Sequence, residues 1–247
     1  WKIIGITLGS LLGVVLLVLG VALWLVFTPE RLTPIVRQVA DRIITVEHEV
    51  GQVELTFFST FPDFGLRAEG LTIVNPVEGA QNDTLLSAPE VVATVDVMAF
   101  LRDENLIVKE LSLRDAVVNA YLSADGKTNF DVFALSEDTT ATEDTTAFML
   151  PFKGLRVDKL ALEARTITLL DEADTLSASL FGTSVAATVG GWDDILLVLS
   201  APDVSATMGE TQYADHLCVS ATLPIGVSRK EAVDVKTNAP IVLSVNE

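Results

Sequence analysis

Residue types that carry chemistry at neutral pH are scarce in this chain. His48 and His216 are its two histidines and Cys218 its single cysteine. A metal centre needs three or four ligands held close together, and neither histidine has a second ligand beside it at metal spacing. Both read as polar residues of a surface or a strand. One cysteine forms no internal disulfide and excludes a zinc site built on Cys ligands; within an apolar alternating run it reads as a small core residue. There is no Gly-x-Ser-x-Gly, no His-Glu-x-x-His and no phosphate-cradling glycine loop. Asp and Glu number 34, so some carboxylate pair is always available, but none stands in an informative context. Asn82-Asp83-Thr84 fits a glycosylation acceptor, a triplet common by chance. The sequence therefore predicts no enzyme, no catalytic residue, no metal and no cofactor.

Apolar side chains at regular spacing are what the chain offers instead, and their chemistry is the binding of hydrocarbon. From Val50 the hydrophobic period is two: Val53, Leu55 and Phe57 alternate with Glu54 and Thr56, and Phe64, Leu66 and Ala68 with Gly65 and Arg67. Val91, Ala93, Val95 and Val97 continue the pattern, which prevails again after Phe152, punctuated by turns such as Asp171-Glu172-Ala173-Asp174 and Gly190-Gly191. No long helical pattern returns. Such a sheet must hide one apolar face without helices to cover it. It closes into a sandwich or barrel, or it curls into a trough lined by something else. The trough reading nominates Leu55, Phe57, Leu66, Leu71, Ile73, Val95, Leu111 and Leu113 as lining positions, where each buried methylene is worth about 0.8 kcal/mol.

The elements that position these strands begin with residues Ile3 to Phe27, which carry no charge. As a helix this stretch is about 37 Å long, enough to cross a roughly 30 Å hydrocarbon core with some tilt. It is longer than a signal-peptide core and offers no small-x-small cleavage site at Leu23 to Phe27, so it reads as a retained anchor. Lys2 precedes the span while Arg31, Arg37 and Arg42 follow it; counted literally, these charges point against export. The chain starts at Trp1 rather than Met, and long domains cross largely regardless of charge. Gly5, Gly9 and Gly13 form a stripe that admits close approach of a partner transmembrane helix, or reflect the general abundance of Gly in membrane helices.

Thr28-Pro29-Glu30 has the order of an N-cap, a first-turn proline and a first-turn acid, and Thr33-Pro34 repeats the signal. Leu32, Ile35, Val36, Val39 and Ile43 then share one helical face. This amphipathic helix either lies on a bilayer or plugs the open end of a sheet, and its mixed-charge polar face favours the plug. Three segments share one pattern: Ala68-Glu69-Gly70-Leu71-Thr72-Ile73, Val108-Lys109-Glu110-Leu111-Ser112-Leu113 and Val157-Asp158-Lys159-Leu160-Ala161-Leu162. The polar insert breaks alternation at the same place each time, which predicts a repeated bulge. Ser136 to Thr146, acidic and Thr-rich, predicts a mobile loop. The strand-like Ile241 to Val245 predicts that the natural protein continues past Glu247. The expected domains are an anchor over 1–27, the helix over 28–45, a β region over 46–135, the acidic loop over 136–146 and further strands over 147–247. A formal net charge of −18 repels phosphate backbones and excludes nucleic acid as a partner.

The order of these features resembles the N-terminal region of the AsmA family over about residues 1–133. It comprises a single span, a proline-started helix, a strand ending in Phe61-Pro62, the Leu71 to Asn75 strand, Leu85 to Ala88 and Val95 to Leu101. Leu111 to Leu113 and the Ala124-Asp125-Gly126-Lys127-Thr128-Asn129-Phe130 turn follow. The turn and the Phe-Pro pair are the most specific; residues 147–247 match only in style, and the acidic loop looks like an insertion. The resemblance implies a mainly β fold: a transmembrane helix and a short amphipathic helix followed by an elongated, curved antiparallel sheet of the repeating β-groove type. It implies a single-pass protein of the bacterial inner membrane, its main domain periplasmic. Such a protein carries phospholipid or another acyl-chain lipid toward the outer membrane and has no catalytic residues. The alternative is a structural or assembly subunit of a larger envelope complex without transfer activity.

Overall fold

The computed structural model describes residues 28–56, 64–96, 105–133, 154–191, 194–228, 234–237 and 242–246, with Ala99 and Arg102. The expected anchor at 1–27 with Gly5, Gly9 and Gly13, the Phe57 and Phe61-Pro62 positions and the acidic loop lie outside these residues. Among the described residues no helix is long and apolar enough to cross a membrane.

One helix, α1 (Pro29–Ile43), precedes the strands. Of the two possible starts the first is used: Pro29 stands at N1, Glu30 in the first turn and Thr28 at the N-cap, without a side-chain capping bond. Thr33, the rival cap, instead accepts a hydrogen bond from the Val53 N–H at 2.9 Å. Arg37 donates from Nε and Nη2 to the Val50 carbonyl at 2.9 and 2.7 Å. The helix thereby satisfies the free edge of β1 (His48–Val50) and β2 (Val53–Leu55), a backbone row that would otherwise be open to pairing. Its Leu32 is buried against Val50, Val53 and Ala68, with Val36 and Ala40 beside it.

The remaining strands are β3 (Phe64–Ala68), β4 (Leu71–Val74), β5 (Thr84–Ala88), β6 (Glu90–Val95), β7 (Asn105–Leu122) and β8 (Gly154–Val157). They continue as β9 (Lys159–Asp171), β10 (Leu176–Gly191), β11 (Asp194–Met208), β12 (Thr211–Ser228), β13 (Asp234–Thr237) and β14 (Val242–Asn246). All belong to one open 14-stranded sheet whose path runs β1-β4-β5-β7-β9-β10-β11-β12-β13; β2, β3 and β6 reach β7 as a second branch, and β14 joins β12. Among the described residues the two ends of this path do not pair, and the sheet is open.

The antiparallel expectation needs one correction. β7 pairs in parallel with β8 and β9. A parallel neighbour requires a return of a dozen residues or more, and residues 123–153 supply that length where a hairpin could not. The three repeated segments explain the seam. The second and third lie side by side in register, Val108 opposite Val157, Leu111 opposite Leu160 and Leu113 opposite Leu162. The polar insert interrupts pairing in each copy: at Glu69-Gly70 between β3 and β4, at Lys109 where the β6–β7 register shifts, and at Asp158 between β8 and β9.

A second line of irregularity crosses the long strands. Asp115 (φ 54), Gly182 (φ 61) and His216 (φ 54) adopt the left-handed conformation on β7, β10 and β12. The β7–β9 register shifts on both sides of Ala116, and the β11–β12 register shifts after Ala201. Ala116, Ala164, Thr183 and Ala201 sit along this line with 0%, 4%, 1% and 0% exposure. Bulged strands bend and twist more strongly, and only small side chains fit where neighbouring strands bend together. The line is where the sheet curves.

Candidate apolar groove

Residues directly opposite one another in a sheet project from the same face, so the register identifies which side chains share a surface. One rung runs Val53, Ala68, Val91, Leu113, Leu162, Val185, Leu199, Ala221 across eight strands. The next runs Leu55, Leu66, Ala93, Leu111, Leu160, Ala187, Leu197, Leu223 across the same eight. No polar side chain interrupts either. Seven strand spacings of about 4.8 Å make the band roughly 34 Å long measured along the sheet. An interrupted third rung lies beyond the second, Phe64 with Val95 and Val108 at one end and Val189 with Ile195 and Ile225 at the other.

The opposite face of the same strands is polar or small at most positions: Glu54, Arg67, Val92, Ser112, Ala161, Ala186, Val198 and Thr222 form the corresponding rung. Ion pairs decorate it, with Glu90 between Arg67 (3.3 Å) and Arg114 (3.6 Å), and Lys159 3.3 Å from Glu110. Exposed pairs of this kind contribute little stability. They mark the solvated side.

Cover on the band is uneven. At β2, β3 and β6 the helix lies over it, and Val53 and Ala68 are 1% and 7% exposed beneath Leu32. Beyond β7 no described element covers it. Leu160 is 41% exposed, and Leu162, Val185, Leu197, Leu199 and Leu223 are half-buried. An apolar surface of this extent, closed at one end and open along the rest, can take up hydrocarbon and gains about 25 cal/mol for each Å² removed from water.

Five of the eight residues nominated from sequence project into this band or its flanking rung: Leu55, Leu66, Val95, Leu111 and Leu113. Leu71 and Ile73 are on β4, paired with β1 and β5. There Ile73, 1% exposed, packs with Ile44, Leu85 and Val132 in an enclosed cluster that Leu71 also contacts. Phe57 lies outside the described residues. Sequence reasoning missed the whole continuation through Leu160, Leu162, Val185, Ala187, Leu197, Leu199 and Leu223. Their alternation was legible, but which face they shared with β7 depends on the parallel register.

The Asp125-Gly126-Lys127-Thr128-Asn129 turn returns β7's end onto itself. Asn129, 0% exposed, accepts from the Tyr121 N–H at 2.8 Å and donates to the Asn119 carbonyl at 2.7 Å, so one amide completes the pairing of β7. Lys127, 2.8 Å away, and the Ser123 hydroxyl hold the Asp125 carboxyl down at about 2. The histidines are not brought together. His48 Nε2 is 3.2 Å from Asp41 and its Nδ1 2.8 Å from the Val46 carbonyl, whereas His216 Nδ1 is 2.9 Å from Asp203. Asp203, then Asp215, raises the His216 pKa. Cys218, expected as core, is exposed on β12, because at that position the strand turns its other face, with Val219, inward. Among the described residues no group of three or more His, Cys, Asp or Glu could hold a metal ion.

No curated protein and no solved structure matches the chain. The family model of the AsmA family matches residues 1–186, from the N-terminus into β10 and across the seam where the repeated segments stack. That match covers well over half of the 247 residues, and the chain belongs to the AsmA family.

Proposed function

We propose that this protein is an inner-membrane-anchored carrier of phospholipid or another acyl-chain lipid, working in the envelope and passing hydrocarbon along the apolar band toward the outer membrane. The observation that supports this most strongly is the pair of uninterrupted eight-residue apolar rungs with no described element above them past β7. One leaflet of a bilayer accounts for about half of a roughly 30 Å hydrocarbon core. A 34 Å band is therefore long enough for an extended acyl chain with room to slide. The polar headgroup stays at the rim, because a charge drawn onto the band would be desolvated without a partner. The reading assigns no catalytic step. It takes the apolar stretch at 3–27 as the anchor and the sheet as periplasmic.

Mass spectrometry of lipid copurified with the full chain is the test. Leu160→Asp and Leu197→Asp place a charge on half-open parts of the band, and the expected outcome is a folded protein stripped of lipid. If both variants retain lipid at wild-type stoichiometry, the carrier reading fails and an anchored assembly subunit takes its place. Val53→Asp, under the helix, is expected to unfold the protein instead.

A further inference from the structure

On the other side of the bend, the strands carry a feature that the lipid reading does not use. Their rows alternate: Val118, Ile167, Leu180 and Val204 project from one face, and Asn119, Thr168, Ser179 and Ser205 from the other. The hydroxyl and amide row forms the floor of a recess of about 210 Å³, roofed by Asn75 and residues 80–82 of the β4–β5 connection. None of the residues lining the recess is charged, in a chain whose net charge is −18.

Four side-chain hydrogen bonds hold its frame. Asn119 donates to the Thr84 carbonyl at 2.9 Å and accepts from the Thr168 hydroxyl at 2.8 Å. In the roof, Asn75 donates to the Asn82 carbonyl at 2.9 Å and accepts from the Val77 N–H at 3.0 Å. These bonds fix both amides and leave the side chains of Gln81, Asn82 and Ser179 without a hydrogen-bond partner among the described residues.

A phosphate would find no cation among the lining residues, while the Glu172 carboxylate is hydrogen-bonded to the Tyr121 side chain, and an acyl chain would bury hydroxyls and amides without partners. A neutral guest that both donates and accepts in several directions, with apolar C–H edges for Ala120, Leu169 and Leu170, matches such a lining. The volume lies below the roughly 300–1,000 Å³ of pockets that enclose drug-sized molecules, which limits the guest to one small ring. We infer that the recess formed by Asn75, Gln81, Asn82, Asn119, Thr168 and Ser179 is a binding site for a neutral hexose unit. It lies across the bend from the two apolar rungs and shares no residue with them, so the site is tested separately and remains if the carrier reading fails.

The experiment uses the full chain in phosphatidylcholine nanodiscs, free of sugar detergents, titrated with methyl β-glucoside and followed by backbone amide chemical shifts. Saturable shifts confined to Asn119, Thr168, Ser179 and residues 80–82 are expected. Ser179→Leu, which fills the floor, should weaken binding tenfold or more. Gln81→Ala, in the connection and harmless to the sheet, should weaken it about fivefold through loss of one neutral hydrogen bond. A second arm replaces the free glycoside with nanodiscs containing monogalactosyl diacylglycerol. Shifts with the glycoside assign the site to free or polymeric saccharide. The same shifts with the glycolipid alone keep the hexose but make its source a lipid headgroup. No saturable shift in either arm, or shifts unaltered by both variants, overturns the inference and leaves a water-filled recess.

Discussion

Single residues hold this sheet in shape at places where the backbone has no alternative. Gly51 lies against the Glu69 carbonyl, into which a methyl group would collide. The Gly51 N–H also donates to the Gly70 carbonyl at 3.0 Å, so the backbone there cannot retreat. Gly51→Ala should therefore destabilise the protein by about 1–3 kcal/mol, read from chemical denaturation. Asn129→Ala removes two buried hydrogen bonds and strands the Tyr121 N–H and the Asn119 carbonyl. A loss of about 2–4 kcal/mol is expected, at roughly 1–2 kcal/mol for each orphaned group. His216 supplies a pH dependence. Asp203 raises its pKa, so the fold favours the protonated ring. That contribution is complete below the ordinary value of about 6.5 and disappears as pH rises through the higher value of the folded state. Asp203→Asn should flatten this part of a melting-temperature-against-pH curve; an unchanged slope would show the pair to be idle. The Asp125-Gly126-x-x-Asn129 turn was recognisable in sequence as a turn. That its asparagine finishes the edge of β7 was not, because the bond partners are two backbone groups with no signature of their own.

Among the elements, the helix and the individual strands were the most legible. Proline at the first turn and the apolar face that includes Leu32 and Val36 specify α1, with Ala40 joining them against the sheet, and alternation specifies the strands. Neither carries information about pairing. An alternating strand fits a parallel or an antiparallel neighbour equally well, so the antiparallel sheet implied by the resemblance could not reveal the parallel pairing of β7 with β9. The repeated polar insert did contain the missing clue, since copies that break alternation in the same place can stack in register. The link between α1 and the sheet has its own test. Arg37→Ala withdraws the charged donor from the Val50 carbonyl and should cost about 1.5–3 kcal/mol. The accompanying sign is faster amide exchange across β1 and β4, with β10 to β12 unchanged. Uniform acceleration over the whole sheet would mean that α1 does more than seal one edge.

At the scale of the molecule, an open sheet leaves apolar surface uncovered among the described residues, and the proposed carrier role predicts that stability depends on what fills the band. Saturating lipid at about 100 times its dissociation constant should add about 2.7 kcal/mol and raise the melting temperature of the delipidated protein. Identical melts with and without lipid would point to a face that needs no guest. The band's extent was not legible in any one segment, because its length is a property of eight strands in register. The parallel seam at β7 also bears on how the chain assembles. β9, β10, β11 and β12 are joined by short turns and pair with their immediate successors, so they can zip up locally within the first stages of folding. Leu111 must instead find Leu160, 49 positions further along, and closing so large a loop is slow. The four hairpin-linked strands are therefore expected to form first and to dock late onto β7, so that substitutions along the Leu111–Leu160 seam should slow refolding less than those within β9 to β12.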